Sequence, residues 1–166
     1  MENTKDALFD LIEEMGTCML VTHDGKIIRS RPMHPIVERA TGQVRFLTSG
    51  DASVDTEIDI DPRCNLSFAK SGNQNYLSVS GEARTSRDVE AIKRSWNAGA
   101  DLYFPDGPEK SNVVLILVDP THAEYWDGDS NTITRAWEIM VSKLHGKTPD
   151  LGENHKITLN QVSPDQ

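Results

Sequence analysis

Cysteine is scarce: Cys18 and Cys64 are the only two in 166 residues. Neither has CxxC spacing, and both sit inside apolar runs. Reduced core thiols of a cytoplasmic protein are therefore expected, rather than a disulfide framework or a metal clip. Long apolar stretches are missing too. The longest, Val113 to Val118, is strand-sized and far short of the ~20 residues that cross a bilayer. The opening MENTKDALFDLIEEMG is acidic and amphipathic, which does not fit a secretion leader. Concentrated positive charge is absent: 17 Lys and Arg stand against 26 Asp and Glu, for a formal net charge of −9. Nucleic acid and acidic membrane surfaces need a basic face, so neither is an expected partner. The cations stand singly or in pairs, as at Arg29 and Arg31, which suits one small anionic ligand better than a polymer. No GxGxxG follows a strand-like run and no P-loop occurs, so a Rossmann reading fails.

What the chain does contain is regular punctuation. Its length fits a single domain, 1–166, able to bury a core without staples. Ala7, Leu8, Leu11, Ile12 and Met15 recur at helical spacing; Asn3 or Thr4 can cap this helix and Gly16 ends it. TCMLVTH and KIIRSRPM flank Asp24-Gly25, the signal of a hairpin with a type I′ turn. Pro32 and Pro35 lack an N–H and predict an edge or bulged strand. Thr41-Gly42 precedes a strand QVRFLTS, and residues 52–60 read as a short helix stopped by Asp61-Pro62. RCNLSFAK and NYLSVSGEART flank a turn at Ser71-Gly72-Asn73. Ser86 is expected to cap a helix with Val89, Ile92 and Trp96 on one face. SNVVLILVDPTHAEYWDG follows as one or two strands with a bend at Asp119-Pro120, then a helix over 132–146, then an extended arm over 147–166. About six strands in consecutive hairpins predict a mainly β antiparallel barrel or sandwich with peripheral helices.

Catalytic and metal signatures are thin. Asp127, Asp129, Asn131 and Glu138 follow the spacing of an EF-hand loop, but Thr132 stands where its sharp turn needs glycine. The five histidines are dispersed, without HxH or HxxxH spacing, so no metal is expected. No GxSxG elbow is present, and a thiol in a strand interior is silenced by burial. No catalytic side chain is assigned. The remaining constellation is polar. Arg29 and Arg31 share one strand face, and Thr48, Ser49 and Ser53 surround Gly50 where a strand gives way to a helix. Hydroxyls, a glycine and helix N–H groups make an anion-friendly corner. Composition alone favours a capped turn beside solvent-facing arginines over such a site.

The succession DGKIIRSRPM, VRFLTS, a short acidic helix and DPRCNLSF resembles the pyridoxamine 5'-phosphate oxidase-like FMN-binding split-barrel superfamily, in its general stress protein branch. AEYWDGD and GKTPDLGENHKI also match, so the resemblance spans about residues 4 to 159. It implies a six-stranded split barrel, a homodimer, and FMN at the subunit interface. By position it sets Arg31, Pro32 and Met33 along the flavin ring, and Thr48, Ser49 and Ser53 at the phosphate. Ser67 and the Asn73-Gln74 region are set near the cofactor or the second subunit, and Trp126 beside the flavin. Arg29 and Arg31 offer charge, Met33 and Trp126 an apolar slot. Two departures stand out. Val54 occupies the place of a phosphate-pairing lysine found in many relatives, at an expected cost of about one to two decades of affinity. The tryptophan- and arginine-rich C-terminus of true pyridoxamine-phosphate oxidases is missing. The resemblance thus implies a flavin-dependent oxidoreductase other than that enzyme, a non-catalytic flavin-binding or sensing protein, or a barrel that takes deazaflavin or heme.

Overall fold

Period-two alternation builds one sheet in this computed structural model, which describes residues 2–72, 74–126 and 155–159. Helical spacing gives α1 (Glu2–Met15), whose apolar side enters the core and whose end is marked by Gly16, its N–H reaching Ile12 O at 3.1 Å. Because the helix starts at Glu2, Asn3 and Thr4 lie inside its first turn and do not precede it. The first hairpin pairs β1 (Cys18–His23) with β2 (Ile28–Met33), Leu20 opposite Arg31. Its connection departs from a type I′ turn. Only Gly25 has positive φ (87°), while the Asp24 carboxylate accepts the N–H groups of Lys26 and Ile27, each at 2.9 Å. A second hairpin joins β3 (Ile36–Glu38) to β4 (Gln43–Ser49). Next comes α2 (Val54–Ile60), which ends at Asp61 before Pro62.

β5 (Arg63–Lys70) and β6 (Asn75–Ser86) form the third hairpin. Asn73, in their connection, lies outside the described residues, and Gln74 beside it has φ 55°. Strand β6 runs through Ser86, so the expected cap is displaced: Asp88 caps α3 (Val89–Ser95), accepting from Glu90 N–H at 3.1 Å. Of the expected apolar face Ile92 is buried, Trp96 is half-buried beyond the helix end, and Val89 is exposed. Asn97 caps a second short helix, α4 (Ala98–Tyr103), and α5 (Gly107–Lys110) leads into β7 (Val113–Trp126). The expected helix over 132–146 and the residues of the EF-hand-like spacing lie outside the described residues. Within the expected arm, β8 (His155–Thr158) pairs with β7 and is a strand of the sheet.

The sheet is antiparallel, ordered β2-β1-β5-β6-β7-β4-β3, with β8 added on β7. Among the described residues it has eight strands rather than six, the surplus being the short β3 and β8. The two ends of this order, β2 and β3, are separated in the chain only by His34 and Pro35. Three residue steps span at most about 11 Å, so the sheet curls until its ends approach. No ladder joins β2 to β3 among the described residues, so the barrel is split there. Its interior holds Cys18, Leu20, Val44, Phe46, Leu66, Phe68, Val79 and Tyr125, sealed by Leu8, Phe9 and Ile12 of α1. Val113, Leu115 and Leu117 point to the opposite side, under Ile92 and Trp96, which is why this run is apolar at consecutive positions.

The expected bend appears as a bulge: Ser80 faces His122 and Gly81 faces Pro120, leaving Thr121 unpaired in the ladder. A Cβ on Gly81 would lie 2.6 Å from Asp119 O, so only glycine fits that close approach. Burial pushes both free thiols, Cys18 and Cys64, up to about 12, which keeps them protonated. No described helix is long and apolar enough to cross a membrane.

Candidate functional site

Val54, Glu57 and Ile58 share the buried side of α2, and Glu57 is only 2% exposed. A carboxylate on an apolar stripe must be paired to remain charged. Its Oε2 accepts from Thr22 Oγ1 and from Arg31 Nη2, both at 2.5 Å; its Oε1 accepts from Ser53 Oγ at 2.7 Å and lies 3.3 Å from Arg29 Nε. Leu20 and Thr22 face the barrel interior, and their register partners on β2 are Arg31 and Arg29. Alternation therefore aims both guanidinium groups inward, beneath α2. Arg31 also donates to Thr22 Oγ1 at 3.0 Å. Burial alone pushes the Glu57 carboxyl up, but hydrogen bonds from Thr22, Ser53 and Arg31 outweigh it and hold the group below its ordinary value.

Arg29 meets a second carboxylate, Asp24, at 3.1 Å. The N–H groups of Ile27 and Lys26, followed by Arg29, hold Asp24 at about 2. Two cations and two anions thus cancel in this corner. At its edge Asp61 accepts from Arg63 through both side chain and backbone and lies 3.7 Å from His23 Nδ1; the Arg63 contacts hold its carboxyl well below the usual range.

The turn between β4 and α2 is held separately. Gly50 N–H donates to Asn112 O at 2.8 Å, and Asn112 Nδ2 donates to Asp51 at 3.0 Å. Arg87 reaches Asn112 Oδ1 at 3.2 Å and Asp55 at 3.1 Å. Ser49 Oγ accepts from Asp51 N–H at 3.2 Å. Thr48 shares the inward face of β4 with Phe46, and its hydroxyl has no partner among the described residues.

Beyond the barrel wall the residues differ in kind. Pro32, Met19, Ser67, Ser78 and Glu124 form one cross-strand row on the outer face, and Ala69, Tyr76 and Trp126 form the next. Met19, Tyr76 and Trp126 are exposed. Asn65 ties the serines together, accepting from Ser67 Oγ at 2.7 Å and donating to Ser78 Oγ at 2.8 Å.

The expected site residues therefore fall into two groups. Arg29, Arg31 and Ser53 converge on Glu57, with Met33 packed on the core from the same side of β2 and Thr48 and Ser49 in the chain leading to Ser53. Pro32, Ser67 and Trp126 lie on the outer face. The expected slot between Met33 and Trp126 is not formed within one chain: Met33 packs on the core from the inner side of β2, whereas Trp126 stands exposed on the outer face of β7. Nor do Arg29 and Arg31 face solvent as a free pair; Glu57 neutralises them. Sequence reasoning passed over Glu57, Thr22, Arg87 and Asn112. Only Glu57 carried a signal, an acid at helical spacing between Val54 and Ile58. The others act through contacts between residues far apart in the chain.

Comparison with known proteins places this geometry in context. A family model described as pyridoxamine 5'-phosphate oxidase like matches residues 3–150. Protein bli-3 of Neurospora crassa is 24% identical over 155 residues, covering 87% of this chain and 74% of its own. General stress protein 26 of Bacillus anthracis superposes with a TM-score of 0.63 at 22% identity, over 73% of this chain and 92% of that one. The general stress FMN/FAD binding protein of Xanthomonas citri superposes with a TM-score of 0.66 at 23% identity, over 80% and 94% of the two chains.

Proposed function

Because the chain belongs to the pyridoxamine 5'-phosphate oxidase-like family, we propose that it binds FMN between two copies of itself and works as a flavin-dependent oxidoreductase of the general stress protein kind, distinct from pyridoxamine-phosphate oxidase itself. The observation that carries this reading is the state of β2. Arg31, Pro32 and Met33 occupy a strand paired on one side only among the described residues, and Arg31 ties that strand to Glu57 of α2, the helix that follows the half-buried Thr48 and its turn. Alternate peptide groups on its outer edge lack ladder partners and suit the polar edge of a flavin ring. A bound flavin supplies electron transfer through its ring. The chain's part is to orient that ring along β2, to present the Thr48 hydroxyl, and to keep the corner beneath α2 free of net charge. The Xanthomonas citri relative is described as FMN/FAD binding, which supports a flavin here.

The dimer reading draws on the outer face. Exposed Met19, Tyr76 and Trp126 beside small serines form a surface that a second copy would cover. With Met33 on the core side and Trp126 on the outer face, a Trp126 that packs on the flavin beside β2 comes from the second copy. Two buried, unlinked thiols support a cytoplasmic setting. The test is the visible spectrum of the purified protein, followed by FMN titration. Yellow colour or saturable binding is expected; a colourless protein that does not bind added FMN contradicts the reading.

A second reading, flavin storage or sensing without turnover, is favoured by the pairing of Arg29, Arg31, Asp24 and Glu57 with one another, which leaves none of these four free to act as acid or base. Steady NAD(P)H consumption with a defined acceptor would exclude it.

A further inference from the structure

The groups that would receive a ligand's phosphate in this corner are already occupied by an internal anion. We propose that Glu57 stands in for a ligand phosphate and sets the choice between phosphorylated and unphosphorylated flavin. The proposal rests on the flavin reading above and specifies its selectivity.

Glu57 gathers the donor set that a phosphate takes: two guanidinium groups and two hydroxyls. The hydroxyl protons of Thr22 and Ser53 are committed to its two oxygens, so neither is free to donate again. Charge leads to the same point. Arg29 and Arg31 carry two positive charges, and Asp24 and Glu57 carry two negative ones. A phosphate monoester of about −1.5 to −2 therefore meets no net attraction here.

It could enter in two ways. Displacing Glu57 would leave a buried carboxylate without donors, which opposes binding. Remaining outside gives it Thr48 and the turn toward α2, where Asp51 and Asp55 add negative charge and Arg87 is already paired with Asp55. In both cases the phosphate contributes little affinity, and the ring does most of the binding. Riboflavin then binds this chain about as well as FMN.

The experiment titrates the full chain with riboflavin and with FMN at fixed ionic strength, following flavin fluorescence, in the wild type and in Glu57→Gln. Glutamine keeps the side chain's length and removes its charge. In the wild type the two dissociation constants should lie within about tenfold. Glu57→Gln should tighten FMN about ten- to hundredfold while riboflavin affinity holds. A wild type that prefers FMN by more than about a hundredfold overturns the proposal, as does a Glu57→Gln chain with an unchanged FMN-to-riboflavin ratio. Both results leave the flavin reading standing. Riboflavin binding by the variant also reports its folding, and if that is lost the wild-type ratio decides alone. If the wild type binds neither flavin, the flavin reading falls and this proposal falls with it.

Discussion

In the corner beneath α2, Glu57 takes its partners from its own chain, whereas across the barrel wall Met19, Tyr76 and Trp126 stand in solvent beside a short serine network. Both regions contain residues that the family resemblance assigns to one cofactor. The corner is complete as it stands: charges cancel, hydroxyls are used, and the carboxylate is buried. The outer face presents large apolar groups to water and gains by being covered. Polar residues in a candidate site can thus serve the fold first and a ligand second. Substitutions in the corner should report on stability, and substitutions on the face on association.

The largest effect is expected from Glu57→Ala. Removing one member of a buried ion pair leaves Arg31 without its partner and should lower unfolding stability by about 3–5 kcal/mol, measured by urea denaturation. If this substitution costs no more than an ordinary surface change, the corner is not the structural unit described here.

Acid sharpens the same point. The folded Glu57 carboxyl lies below its ordinary value, so its stabilisation is complete above the unfolded carboxyl value of about 4.3 and is lost as pH falls through the lower folded value. Asp24 and Asp61 are shifted in the same direction and add to the loss. Urea midpoints should therefore fall as pH drops below about 4.3, and less steeply in Glu57→Gln.

The face should behave in the opposite way. Met19→Asp puts a charge on the exposed surface and should weaken dimerisation at least about tenfold by light scattering. Its stability as a monomer should shift by no more than about 0.5 kcal/mol. Trp126→Ala is expected to have the smallest effect, a loss of flavin affinity up to about tenfold. A large loss of stability in either variant would mean that the face belongs to the monomer's own packing.

Much of the fold was legible because its signals are local. Hairpins announced themselves through Asp24-Gly25 and Thr41-Gly42, β5 through RCNLSFAK, and the bulge through Asp119-Pro120. Errors came where neighbouring signals compete. Ser86 and Asp88 are both good caps, and the strand consumed the first. The turn at Asp24 formed through its carboxylate rather than through a positive φ. β8 escaped notice because four residues paired to one edge carry almost no periodicity. The arginine pair and its shared face were readable, but its partner was not. The contact from Glu57 to Arg31 spans 26 residues, and from Glu57 to Thr22 it spans 35. Spacing along a chain shows which groups point the same way, not which group waits opposite them.

The central claim is that this barrel holds a flavin between two copies. It is tested most directly by titrating the purified protein with FMN while its mass is followed by light scattering. The account predicts a dimer that binds a flavin for each chain, with a perturbed visible flavin spectrum. A monomer at working concentration, with an unperturbed free-FMN spectrum throughout the titration, would contradict it.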